Sequence, residues 1–205
     1  MCMSKIHTVI VPGVAGSEAE HWQSWLQQQL TLCSRVQQRD WHHPVLQDWG
    51  AALLSTLSSI TAPIQIVAHS FGCLTTMATL EAYPQLRAKI EQVILVAPAN
   101  PARFGDNGFA ANGQHNYAEF FYRLTPHVAT TMLISENDPW LAFDDAQALA
   151  AAWQVQAINL GRVGHVNVAS GFGPFPQIFD HLISENTMSH ISITDDDKHF
   201  FKFAI

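Results

Sequence analysis

Three side chains in this sequence have the types, order and spacing to make a hydroxyl attack a carbonyl: Ser70 in AHSFG, Asp138 in SENDPW and His165 in GHVN. A serine hydroxyl is a weak nucleophile at neutral pH. It needs an imidazole to take its proton and a carboxylate to orient that imidazole and stabilise its charged form. Ser70 stands between two apolar segments, with Ala68 two residues before it and Gly72 two residues after. That is the setting of a serine on a tight strand-to-helix turn, where larger flanking residues would collide. The pattern for such turns is G-x-S-x-G, and Ala68 replaces its first glycine, a position where a methyl group is tolerated. Glu136 and Asp144 compete for the acid role. Glu136 is still close to its strand and Asp144 reads as a helix-start residue, so Asp138 is preferred. The developing oxyanion needs two donors, expected to be the backbone N–H of Phe71 and that of Val14 in VPGVAGS, where Gly13 and Gly16 let the chain come close.

For these residues to meet, each must follow the carboxyl end of a strand in one sheet. Short apolar runs alternate with segments of helical period, which predicts an α/β fold with a parallel sheet covered by helices. The candidate strands are HTVIV (7–11), RVQQ (35–38), IQIVA (64–68), QVILVA (92–97), TTMLIS (130–135) and VQAINL (155–160). Among the candidate helices, one has Ser17 as its N-cap with Glu20 three residues on and Trp22, Trp25, Leu26 and Leu30 on one face. Leu46, Trp49, Leu53 and Leu57 mark a second, Phe71 to about Tyr83 a third closed by Pro84, and Asp144 and Asp145 lead another. The expected architecture is a doubly wound, mostly parallel sheet of about six strands in the order 2-1-3-4-5-6. Strands 1 and 3 are then neighbours whose exits diverge over Ser70.

Composition narrows the classes. Hydrophobic residues make up 48% and charged residues 13% of the 205, a globular balance in which one domain over 1–187 is expected, followed by a tail of uncertain order over 188–205. Ten basic against 17 acidic residues, without a Lys/Arg cluster, argue against nucleic acid and favour neutral or cationic partners. Cys2, Cys33 and Cys73 are odd in number and lack metal-type spacing, and the segment before Pro12 is too short to span a membrane. The expectation is a cytoplasmic chain with no membrane association and no metal. His42 and His43 read as a solvated loop and His69 as a packed or hydrogen-bonded histidine. Residues 100–117, rich in Gly and Asn, are either a plain surface loop or a flap.

The motifs converge on a recognisable set. VPGVAGSEAEHWQSW, DWHHPVLQDW, AHSFG, LVAPA, SENDPW and GHVNVASGFGPFP together resemble the small serine hydrolases of the retinoblastoma-binding protein nine and YdeN group. The resemblance implies a minimal α/β-hydrolase fold without a large cap domain, and the triad roles for Ser70, Asp138 and His165. The reading is a carboxylesterase-type serine hydrolase that cleaves small acyl esters through an acyl-enzyme without any cofactor. The cleft is expected to be shallow and bordered by Val14, Phe71, Phe104, Phe109 or Trp140. Two alternatives stay open: a protein-interaction module of the same fold with little turnover, and an amidase, thioesterase or lactonase using the same triad.

Overall fold

The computed structural model describes residues 5–111 and 115–183, so the 187/188 boundary and the tail lie outside the described residues. Six parallel strands, β1 (His7–Val11), β2 (Cys33–Arg35), β3 (Ile64–Ser70), β4 (Ile90–Pro98), β5 (Thr130–Ile134) and β6 (Gln156–Asn159), form one sheet in the order β2-β1-β3-β4-β5-β6. This is the expected α/β doubly wound order. β3 runs through its centre, with Val11 and Leu95 both opposite Ala68. Its residues Ile64 to His69 are all buried, which is why the strand reads as a continuous apolar run and not an alternating one.

The helices are α1 (Trp22–Gln29), α2 (Leu46–Ser59), α3 (Phe71–Ala82), the single turn α4 (Ala118–Phe121) and α5 (Phe143–Trp153). They sort onto the two faces. Trp49, Leu53 and Leu57 of α2, Leu74 and Met77 of α3, and Leu149 and Trp153 of α5 share one core with Val9, Ile66 and Leu95. On the other face Trp22 and Leu26 of α1 pack with Ile10, Val67, Ile94 and Leu133, and with Phe175, Ile178 and Leu182 from the chain after β6. Between β4 and β5 the chain forms a tight turn at Pro101–Arg103, a two-residue hairpin pairing Phe104–Gly105 with Gly108–Phe109, and α4. These small elements take the place of a cap domain.

Two local expectations are corrected. Helix α1 starts at Trp22 and is capped by His21, whose Nδ1 accepts the Gln23 N–H; Ser17 is not the cap. Ser17 has a φ of 55° and follows Ala15 and Gly16, also left-handed, and its hydroxyl donates to Gln23 Oε1. Residues 17–21 therefore form a bend that the helix cannot include. The second strand is Cys33–Arg35, not 35–38. Val36 N–H still reaches the Ile10 carbonyl, but β1 ends at Val11, so residues beyond it have no neighbour to pair with.

The close approach that fixes the site is between α3 and β1. A Cβ at Gly72 would stand 2.4 Å from the Val11 carbonyl oxygen and 2.6 Å from that of Pro12, both backbone atoms that cannot swing aside. Gly72→Ala must therefore push α3 away from the sheet at a cost of about 1–3 kcal/mol. Thermal unfolding should show a Tm lowered by several degrees, with a matching loss by urea titration; an unchanged Tm would mean that this contact is not tight.

Candidate active site

Ser70 ends β3 and precedes α3 with φ 54° and ψ −124°, a conformation that L-residues rarely hold and that costs of order 1–3 kcal/mol. The surrounding packing enforces it. Gly72 lets α3 start against β1, and a Cβ at Gly13 would lie 2.6 Å from Ser70 Cβ, so the loop after β1 passes directly beside the serine. Ala68, where the turn pattern has glycine, is fully buried in the sheet and its methyl is accommodated there.

His165 and Asp138 reach Ser70 from the loops after β6 and β5. His165 Nε2 is 2.9 Å from Ser70 Oγ, and His165 Nδ1 is 2.9 and 2.8 Å from the two carboxylate oxygens of Asp138. Both side chains are nearly inaccessible, at 6% and 4% exposure, so water competes little for these bonds. With Nδ1–H donated to the carboxylate, Nε2 presents its lone pair to the serine hydroxyl. Glu136 instead accepts from Asn159 Nδ2 at the surface, and Asp144 sits in the first turn of α5.

The histidine loop is held from several sides, and His69 is the packed, hydrogen-bonded histidine that its position beside Ser70 led one to expect. Trp22 Nε1 donates to the Val166 carbonyl at 2.8 Å and His69 Nε2 to the His165 carbonyl at 2.9 Å, both buried. Ser170 Oγ accepts the His165 N–H at 3.0 Å and donates to Asn167 Oδ1. Asn137 Oδ1 accepts the Gly164 N–H at 2.8 Å, joining the acid loop to the histidine loop. Gln23, fully buried, donates to the carbonyls of Val11 and Val67 and so ties the ends of β1 and β3 together. Arg35 donates to the carbonyls of Gly16 and Ser17, the latter at 2.6 Å, steadying the loop beside Ser70. The HW pair and the GHVN segment are far apart in sequence, and these bonds are the physical link between them. His69 could be picked out as a polar ring at the end of an apolar stretch, whereas Trp22 stands among polar residues and only its helical spacing to Leu26 marked it.

Val14 lines the cleft above Ser70. In the same loop the Ala15 N–H is taken by the Trp41 carbonyl and the Gly16 N–H by the Gly13 carbonyl, while Val14 N–H has no partner among the described residues. Phe71, as the first residue of α3, has no carbonyl one turn back within the helix to accept its N–H. The cleft has a volume of about 310 Å³, and Phe104, Phe109 and Trp140 border it as expected. Part of the 100–117 segment thus forms a wall of the site. Phe71 does not reach the surface: it is fully buried, against Phe104 at a ring distance of 4.4 Å. His42 and His43 are exposed, their N–H groups bonded to Asp40. Cys73 is buried with its thiol on the Val96 carbonyl, and burial pushes that thiol well above its usual range. Among the described residues no three His, Cys, Asp or Glu side chains gather to hold a metal.

Three imidazoles line up in the wall, tilted to one another, with 4.9 Å between the rings of His21 and His69 and 4.9 Å between those of His69 and His165. Burial, with the nearby charges of Arg35 and His165, lowers His21 to about 3; burial first, then His165 and His21, holds His69 well below its usual value. Both stay neutral, so neither opposes a positive charge on His165. The sign of the stability effect follows. The unfolded chain protonates these histidines below about pH 6.5 while the folded chain does not, so their contribution is complete above 6.5 and is lost as pH falls toward 3. His21 should account for a loss on the order of 2–3 kcal/mol at pH 4.5 relative to pH 7, and His69 acts in the same direction. His21→Asn keeps an N-cap acceptor but cannot titrate. Urea unfolding at the two pH values should show a smaller acid loss in this variant, and an equal loss would place the titration elsewhere.

Comparison with known proteins identifies the family. The Serine hydrolase family matches residues 8–184. The YdeN protein of Bacillus subtilis strain 168, described as a hydrolase, is 25% identical over 189 residues, covering 85% of this chain and 93% of its own. Its crystal structure superposes with a TM-score of 0.65 over 89% of this chain and 98% of that one, at 20% identity. A YdeN-like hydrolase from Pectobacterium atrosepticum superposes with a TM-score of 0.72 at 33% identity, covering 87% and 89% of the two chains. Est1E from Butyrivibrio proteoclasticus, at 13% identity and a TM-score of 0.55 over 82% and 85%, shares the fold alone.

Proposed function

Because the chain belongs to the serine hydrolase family, among its YdeN-type members, we propose that it is a carboxylesterase-type hydrolase of small acyl esters in which Ser70 is the nucleophile. The observation that carries this reading is the continuous hydrogen-bonded line from Ser70 Oγ through His165 to Asp138. His165 Nε2 takes the hydroxyl proton as Ser70 attacks the ester carbonyl, Asp138 stabilises the resulting imidazolium, and the backbone N–H groups of Val14 and Phe71 receive the oxyanion. His165 returns its proton to the leaving alcohol. Water then enters, is deprotonated by the same imidazole, and releases the acid. The strain at Ser70 serves this chemistry by holding Oγ out of the helix and toward His165.

The family assignment supports hydrolysis, and the choice of esters rests on the cleft. At about 310 Å³ it lies at the small end of small-molecule sites and is open to solvent, which suits short acyl groups. An apolar wall of this size adds about 0.8 kcal/mol per methylene only while there is surface left to cover. Turnover of p-nitrophenyl esters should therefore peak at acyl chains of two to four carbons; efficiency that keeps rising to long chains would contradict the shallow site. Thioesters, amides and lactones would use the same residues. A protein-interaction module with this fold would show no turnover on any of them.

On a p-nitrophenyl butyrate assay, Ser70→Ala should lose about 10³-fold or more in kcat and Asp138→Asn about 10²- to 10⁴-fold, the latter because the imidazole takes the wrong tautomer. Glu136→Gln and Asp144→Asn should change kcat little. A larger loss from Asp144→Asn than from Asp138→Asn would overturn the assignment of the acid.

A further inference from the structure

Among the described residues, one permanent cation lines the cleft beside Ser70. Arg103 lines it together with Ser70, His165 and Trp140, and its guanidinium carbon lies 4.2 Å above the centre of the Trp140 indole. The side chain is half-buried, yet among the described residues the guanidinium makes no ion pair and no hydrogen bond. A guanidinium has five donors and stays protonated, so removing it partly from water without a partner is unfavourable unless something else meets it. The indole face supplies part of the compensation and fixes the orientation. The donors at the rim of the plane remain unused.

The position is built, not incidental. Asn100 Oδ1 accepts the Ala102 N–H to start the turn, and the Arg103 carbonyl accepts the Ala110 N–H across the hairpin. Next in sequence, Phe104 is anchored against Phe71. On the other side Trp140 is held by its N–H on Asp138 Oδ1 and stands edge-on to His165, with 6.4 Å between ring centres. The guanidinium and the imidazole that faces Ser70 therefore both lie against the same indole ring. Burial lowers the Arg103 pKa from its usual value and the Asp138 carboxylate only partly opposes this, while its two oxygens are already engaged by His165. Glu18, the carboxylate among the lining residues, is exposed and forms no ion pair among the described residues.

We propose that Arg103 is a specificity-determining residue that receives a carboxylate at the far end of the substrate's acyl group, so that the preferred substrates are half-esters of short dicarboxylic acids. This rests on the hydrolase reading of Ser70 given above. The overall charge of −7 does not oppose it, because surface charges are screened beyond about 8 Å at physiological salt and the nearest permanent charge sets the local preference. A carboxylate meets the planar guanidinium with two parallel hydrogen bonds, a geometry that a neutral chain end cannot supply.

The test compares the mono-p-nitrophenyl ester of glutaric acid with p-nitrophenyl pentanoate, and separately measures binding of monomethyl glutarate and methyl pentanoate to the Ser70→Ala protein by calorimetry. The wild-type protein should prefer the charged ester in kcat/KM by about tenfold to a hundredfold, Arg103→Lys should keep part of that ratio, and Arg103→Ala should bring it to about one. Ser70→Ala should bind monomethyl glutarate at least about tenfold more tightly than methyl pentanoate, and the Ser70→Ala, Arg103→Ala double variant should not. A wild-type ratio near or below one, or an Arg103→Ala variant that loses equally on both esters, overturns the role of Arg103 and leaves the esterase reading intact. Binding preference without turnover of either ester supports Arg103 and overturns the esterase reading. Absence of both preferential binding and preferential turnover overturns the inference.

Discussion

The first turn of α3 lies so close to the end of β1 that a methyl at residue 72 would stand 2.4 Å from the Val11 carbonyl oxygen. That approach is the constraint on which the site depends. It forces β3 to pass into α3 without a loop, and a chain that turns so abruptly must place one residue in an unfavourable conformation; Ser70, at φ 54°, is that residue. The same approach brings the loop after β1 against Ser70, so that Gly13 has no room for a side chain and Val14 faces the cleft. The strain at Ser70, its position and that of the proposed oxyanion donors thus have one geometric origin.

A second requirement is that two long loops from β5 and β6 meet the serine with an accuracy of tenths of an ångström. Loops that carry function are usually the mobile part of a fold. Here the histidine loop is tied from beneath, by Trp22 and His69 to the carbonyls of residues 166 and 165, and from the side by Asn137 to Gly164. Buried carbonyls left without such donors would each cost about 1–3 kcal/mol, so these bonds stabilise the loop as well as aim it. Using histidines for part of this scaffold works only because burial keeps His21 and His69 uncharged beside a third imidazole that the proposed mechanism requires to become charged.

Much of this was legible in the residues. The parallel sheet and its strand order followed from short apolar runs alternating with helical segments, and Ser70, Asp138 and His165 were chosen by chain order relative to those runs. The misreadings are local and share a cause. Ser17 has the composition of a helix cap, but Arg35 and Ser24 hold its carbonyl and the backbone around it turns left-handed, an effect of partners distant in sequence. The second strand slipped because its length is set by where β1 stops, not by its own propensity. The roles of Trp22 and Gln23, and the partner of His69, were invisible for the same reason: the carbonyl that a buried donor meets is known only once the fold is known.

The central claim is that this fold activates one particular hydroxyl. The most direct measurement is to treat the full chain with a fluorophosphonate, digest it, and locate the phosphonylated residue by mass spectrometry. The account predicts a single stoichiometric adduct on Ser70, absent after prior unfolding in urea because the unfolded serine has no base beside it. An adduct on another serine, or an unreacted Ser70 in the folded protein, would contradict it.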